Sequence, residues 1–233
     1  MISRIVHSNE FATDAARLIL DSARQAISER TVFRLGLTGG RSPKVIHPAL
    51  LAQAGNLPWD KVQFTFGDER CVPPGDEQSN YREARESLLD PAHIPPENVF
   101  RIRGEIDPEA AAAEYEAMLR AMAARFGEPR YVHDLLLLGL GEDGHTASLF
   151  PGSPALMEIS RDVVPVIGPK PPPRRITMTL PLINSARHIL FLVPDPEKRD
   201  VAEAVIAGDP RFPASRVHGQ EQTTWLFGWH RPD

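Results

Sequence analysis

Asp134 to Gly152 reads DLLLLGLGEDGHTASLFPG, and this stretch decides the fold. Leu135 to Leu138 form an unbroken apolar run, the pattern of a strand covered on both faces in a parallel sheet. Gly139, Gly141 and Gly144 then let the backbone turn sharply and let a ligand approach it closely. Asp143 and His145 follow beyond the carboxyl end of the strand, where open α/β sheets bind their ligands. The same residues also suit a plain glycine-rich β-to-α turn with Asp143 as a helix cap and His145 on the surface, so the segment needs support from the rest of the chain.

That support comes from alternation. Apolar positions recur at helical spacing from Asn9 to about Glu29, and Val32 to Leu37 reads as a strand ending in TGGRSP. There Ser42 is expected to cap a helix that starts with Pro43 and continues through Ala54. Val62 to Phe66 predicts a second strand, leading into GDERCVPP. Helices are expected over Ser79–Leu89 and over Pro108–Phe126, the latter capped by Asp107. After the Leu135 strand, the pattern predicts strands near Ile176–Leu180 and Ile189–Val193, a helix from about Pro196 to Ala207, and a short strand around Trp225–Phe227. Such alternation calls for a three-layer α/β/α fold, an open, mainly parallel, Rossmann-like sheet with helices on both faces. The 233 residues suit one large domain, 1–233, better than two.

Composition narrows the function. A formal charge of −5 argues against non-specific attraction to nucleic acid, while leaving room for a local basic pocket that holds a small anion. No segment is long and apolar enough for a membrane span, and the amino-terminal MISRIVHSNE lacks the apolar core of a secretory signal. A cytoplasmic location is the expectation. The single cysteine, Cys71, rules out an intrachain disulfide and a cysteine-based zinc site. A metal reading would need a third ligand beside Asp143 and His145, and the sequence specifies none. The 23 prolines are about twice the usual share; they punctuate element ends, and Pro169–Pro173 is the one cluster that reads as a loop.

Three strand ends thus carry polar clusters: Thr38–Pro43, Gly67–Arg70 and Gly141–Thr146. In a parallel sheet their carboxyl ends point the same way. With their order and flanks, TGGRSP, FGDERCVPPGDEQSNYREAR, LGLGEDGHTASLFPG and RITMTLPLINSARHILFLV, the chain closely resembles the 6-phosphogluconolactonase family over nearly its whole length. That family is similar in fold to glucosamine-6-phosphate deaminase and ribose-5-phosphate isomerase. The resemblance implies hydrolysis of 6-phospho-D-glucono-1,5-lactone to 6-phospho-D-gluconate, the second step of the oxidative pentose phosphate pathway, with no cofactor.

Thr38, Gly39, Gly40 and Ser42 sit where a helix begins, so unpaired N–H groups and a positive dipole end suit a phosphate. The resemblance supports Asp68, Arg70 and Thr146 as substrate contacts and Arg175 and Lys198 as phosphate ligands; Arg41, Lys170 and Arg174 are alternatives that the sequence does not separate. His145 is the expected general base, since an imidazole titrates near neutrality and can take a proton from water attacking the lactone carbonyl. Asp143 would orient its ring or position the water. The oxyanion would be held by loop N–H groups or by Arg70.

Two rivals follow from the same resemblance. A deaminase would carry a glutamate five residues after the histidine, where this chain has Phe150, and a tyrosine at the position of Arg70. A non-catalytic sugar-phosphate sensor would need an attached DNA-reading module, for which no sequence is left over. The sequence itself leaves the oligomeric state open; a monomer with a transient contact with glucose-6-phosphate dehydrogenase is the expectation. The ending departs from the family pattern at His230 and Arg231.

Overall fold

A computed structural model describes residues 2–230; Arg231, part of the divergent ending, lies outside them. In chain order the elements are β1 (Ile2–His7), α1 (Phe11–Arg30), β2 (Phe33–Leu37), α2 (Ser42–Gln53), β3 (Val62–Phe66), β4 (Asp68–Arg70), α3 (Asn80–Ala84), α4 (Pro108–Arg125), β5 (Leu135–Gly139), β6 (Val163–Ile167), β7 (Arg174–Met178), α5 (Leu180–Ile183), β8 (His188–Val193), α6 (Arg199–Ile206) and β9 (Gln222–Phe227).

Six strands form one sheet in the order β1-β9-β8-β5-β2-β3, every pairing parallel. All five residues of β2, and Leu135–Leu138 of β5, are buried whichever way their side chains point, so both faces of the sheet centre are covered. This is the physical origin of the unbroken leucine run: a strand with no solvent face has no reason to alternate. Helix α1 packs on α2 and touches β2 and β9, whereas α4 packs on β6 and β7. Phe191, Trp225, Phe227 and Trp229 stack in series beside β8 and β9, the first pair at a centroid separation of 3.9 Å.

The structure departs from the expected elements in several places. The segment expected as a strand over Ile176–Leu180 is β7, shifted to Arg174–Met178, and it lies outside the parallel sheet in a three-stranded antiparallel sheet of order β4-β7-β6. Ser42 is the first helical residue and not the cap; Arg41 holds that place, with no side-chain capping bond. The Ser79–Leu89 helix is two pieces, α3 and a wide π turn over Arg85–Leu89, with the Ser79 hydroxyl accepting from the Arg82 amide. The helix expected from Pro196 opens as a 3-10 turn and becomes α6 only at Arg199. Asp107 caps α4 as expected, accepting from the amides of Glu109 and Ala110 at 3.1 and 3.0 Å.

Candidate active site

The carboxyl ends of β2, β5 and β8, together with the β4–β7 pair, surround a cavity of about 370 Å³. Thr38, Gly39, Gly40 and Ser42 line one side, Asp68 and Arg70 another, and His145, Thr146, Arg175 and Lys198 the remainder. Asp143 stands behind His145 and lines a neighbouring, mostly apolar groove of about 910 Å³, as does Arg174. Most of the expected site residues converge on the smaller cavity. Arg41 and Lys170 line it too, which separates them from Arg174.

The loop after β5 is built around its acid and histidine. Gly144 adopts φ +71°, a left-handed turn that returns the chain so that the Gly141 amide donates to the His145 carbonyl at 2.8 Å. A side chain at Gly141 would collide with the His145 ring, 2.1 Å from its Nδ1, so only glycine lets the imidazole lie across this turn. Asp143 Oδ1 contacts His145 Nδ1 and also accepts the His145 amide at 3.2 Å. Since a carboxylate only accepts, Nδ1 carries the hydrogen and Nε2 is left as the acceptor. Partial burial pushes the Asp143 pKa up, but the hydrogen bond and charge of His145 outweigh it and the net shift is downward. Phe150 closes the other side of the ring at 4.6 Å between centroids. The Thr146 hydroxyl donates to the Gly139 carbonyl at 2.8 Å, tying the loop to the end of β5.

Strand β4 sets the basic side. Its alternation sends Asp68 and Arg70 one way and Glu69 the other. Glu69 is buried and accepts the amides of Arg70, Asn80 and Tyr81 and the Ser79 hydroxyl. Burial raises its pKa despite those bonds. It is the anchor that folds the Ser79–Tyr81 segment against the site. Asp68 accepts from the Ser148 hydroxyl at 2.6 Å and from Asn80 Nδ2 at 3.1 Å.

Arg70 sits directly opposite Arg175 in the β4–β7 register. Like charges in that position destabilise a sheet pair. Arg175 is half-buried, and burial, with Arg70 adding to it, lowers its pKa even though Asp68 works in the opposite direction. Its Nε donates to the Pro172 carbonyl at 3.2 Å, and its guanidinium lies 5.6 Å from the Phe150 ring centre. Arg70 donates to the Gln78 carbonyl at 2.6 Å and leaves its buried Nε without a partner. Two arginines facing each other, with no carboxylate among the described residues bonded to either, have the geometry to cradle an anion.

The third basic group, Lys198, lies 3.2 Å from Asp195, which also receives Arg41. Residues that sequence reasoning passed over are therefore the supports: Glu69, Asn80, Ser148 and Asp195. Asn80 is signalled only by Gly39, where a side chain would strike its Oδ1 at 1.9 Å. Among the described residues, no group of three or more His, Cys, Asp or Glu side chains is placed to hold a metal ion, and no helix is long and apolar enough to cross a membrane.

The fold and site define an α/β protein that keeps an anion cradle and an aspartate–histidine pair together at the carboxyl end of a parallel sheet. More particularly, the chain belongs to the family described as glucosamine-6-phosphate isomerases/6-phosphogluconolactonase, whose sequence model matches residues 7–225. The 6-phosphogluconolactonase of Mycobacterium tuberculosis is 41% identical over 221 residues, which cover 91% of this chain and 89% of that protein. The crystal structure of 6-phosphogluconolactonase from Thermotoga maritima superposes with a TM-score of 0.87 at 28% identity, covering 97% of this chain and 99% of that one. A monomeric glucosamine-6-phosphate deaminase shares the fold at 23% identity and a TM-score of 0.80, with 97% of each chain covered.

Proposed function

We propose that this protein hydrolyses 6-phospho-D-glucono-1,5-lactone to 6-phospho-D-gluconate. The observation that carries the reading is the placement of the facing Arg70–Arg175 pair and the His145–Asp143 pair around one cavity of about 370 Å³. The arginines, Lys198 and the loop from Thr38 to Ser42 take the phosphate, and this anchoring presents the lactone carbonyl to His145. Water attacks C1 while His145 Nε2 takes its proton; Asp143 holds the ring in the required tautomer and stabilises the imidazolium. The carbonyl electrons move onto its oxygen, which N–H groups of the glycine-rich loop stabilise. Collapse re-forms the carbonyl and breaks the bond from C1 to the ring oxygen, which receives the proton from His145. The acid product then ionises.

Phe150 bears on the rival deaminase reading. It packs on the catalytic imidazole where the resemblance places a glutamate in deaminases, so no carboxylate extends the Asp143–His145 pair at that position. The same reading takes the chain to act as one cytoplasmic domain and as a monomer that meets glucose-6-phosphate dehydrogenase transiently, which sedimentation with and without that enzyme tests.

The deciding experiment generates the lactone in situ from glucose 6-phosphate and follows 6-phosphogluconate formation, with chelator present, for the native protein and for His145→Ala. Hydrolysis well above the spontaneous rate and lost in the variant supports the assignment. A native rate equal to the spontaneous one overturns it.

A further inference from the structure

Asp195 is, with Asp68, an acidic residue in a cavity lined by Arg41, Arg70, Lys170, Arg175 and Lys198. One of its oxygens, Oδ2, lies 2.8 Å from Arg41 Nη2 and 3.2 Å from Lys198 Nζ. Arg41 comes from the loop after β2 and Lys198 from the turn before α6, so the carboxylate oxygen bridges two cations that reach it from different strand ends. It is not there as a helix cap: it stands at the N-cap of the turn over Pro196–Lys198 but makes no side-chain capping bond. The partners also differ in freedom. The Lys198 side chain is 17% exposed and Asp195 22%, whereas Arg41 is 77% exposed, so the arginine is the free end of the bridge.

A single oxygen shared between an arginine and a lysine is the contact a phosphate oxygen makes. Resting on the phosphate-site reading above, we propose that Asp195 is a built-in competitor for that site, occupying in the free protein the place of a phosphate oxygen between Arg41 and Lys198. A phosphate entering the cavity meets repulsion from this carboxylate and must draw both cations away from it. Substrate and product carry the same phosphate, so the effect on both is uniform: weaker binding of each, a higher KM and easier release, with no gain in the chemical step. Asp195 thereby sets affinity, while Arg70 and Arg175 provide the attraction.

The test measures inorganic phosphate and 6-phosphogluconate binding by calorimetry, together with lactonase kinetics, for the native protein, Asp195→Asn, Asp195→Ala and Asp195→Glu. Both neutral variants are expected to bind inorganic phosphate on the order of tenfold more tightly than the native protein at low ionic strength, the gain shrinking with added salt. Asp195→Glu, which keeps the charge, stays within a few-fold of native. KM for the lactone and the inhibition constant of 6-phosphogluconate fall together, without a rise in kcat. Arg41→Ala weakens phosphate binding more in the Asp195→Asn background than in the native one, because only there is the guanidinium already free. Unchanged or weaker phosphate binding in both neutral variants overturns the proposal and makes Asp195 a brace for Lys198. Should the native protein bind phosphate and show the tightening but fail to hydrolyse the lactone, the lactonase reading falls and the role of Asp195 stands. Absence of phosphate binding in every variant overturns the role of Asp195, and the lactonase reading is then decided by the hydrolysis rate alone.

Discussion

Arg34 and Arg175 are both arginines drawn into the protein, at opposite ends of its strands, and their surroundings are opposed. Arg34, near the start of β2, is 2% exposed. It makes a two-pronged pair with Glu128 at 2.7 and 3.0 Å, with Asp134 3.7 Å from its Nε and the Phe126 ring 4.6 Å away. Burial works against its charge, but Glu128 and Asp134 more than offset that, and its pKa rises. Asp134 is shared in turn with Arg30 at 2.9 Å and Arg187 at 3.6 Å, and accepts the Arg34 amide at 2.8 Å. Arg175, at the other end, has a second arginine opposite it and a lowered pKa. Arg34 is satisfied by carboxylates within the fold, whereas Arg70 and Arg175 face each other across β4 and β7, which is the contrast expected between a group that holds the fold and one kept for a ligand.

Substitutions at the two ends should therefore separate cleanly. The largest effect is expected at the functional end: His145→Ala should lower kcat by about 10² to 10⁴-fold, the usual contribution of a general base, while thermal unfolding stays near native because the ring is part-exposed at the cavity wall. A melting point that falls with the activity would break the separation. At the opposite end, Asp134→Ala strips a carboxylate from Arg30, Arg34 and Arg187 together and leaves the buried Arg34 with Glu128 as its one remaining carboxylate partner among the described residues. Chemical denaturation should register a loss of about 3 to 5 kcal/mol, and the surviving folded fraction should keep its native KM.

What could be read in the sequence follows the same line between local and distant causes. β2 and β5 were legible because burial on both faces leaves an apolar run, and the aspartate–histidine pair because its two members are two residues apart. β4 was not, since DER has the composition of a surface turn; it is a strand because Glu69 finds backbone amides and a serine hydroxyl from the segment beginning at Ser79. β6 was hidden by Pro165, which the free edge of the small sheet tolerates. β1 was hidden because it is an edge strand with exposed Arg4 and Ile5, so burial leaves little pattern on it. The Arg70–Arg175 and Arg41–Asp195 pairings join segments far apart in the chain, and no local pattern carries them. The place of β7 outside the parallel sheet was illegible for a related reason: its partners are β4 and β6, neither of which the pattern revealed.

Arg175→Ala sharpens the comparison in the other direction. Removing one member of a like-charged pair should leave the melting point unchanged or higher, whereas losing a charged phosphate contact should raise KM by roughly 10- to 100-fold, the range for one hydrogen bond to a charged group. Kinetics and calorimetric melting on the same sample check both halves. A drop in stability with an unaltered KM would place Arg175 with Arg34 as a structural arginine.

The smallest effect per step concerns pH and falls on the fold rather than the site. His47 and His133 are 2% and 0% exposed, and desolvation, joined for His133 by the Arg34 charge, lowers their pKa values to about 4 and about 3. Each is held neutral, with His47 Nδ1 on the Ser87 hydroxyl at 2.6 Å and His133 Nε2 on that of Thr65 at 2.9 Å. In the unfolded chain both would take a proton near pH 6.5, so below that pH the unfolded state binds more protons than the folded one. Their contribution is complete above about pH 6.5 and is lost as pH falls toward their folded values, at up to about 1.4 kcal/mol per pH unit for each histidine. Denaturation midpoints measured from pH 7 to 4.5 should fall accordingly. His133→Asn, which keeps a polar side chain at Thr65 but does not titrate, should flatten the slope whatever its effect on absolute stability. An unchanged slope would mean that His133 does not contribute to the acid limit of the fold.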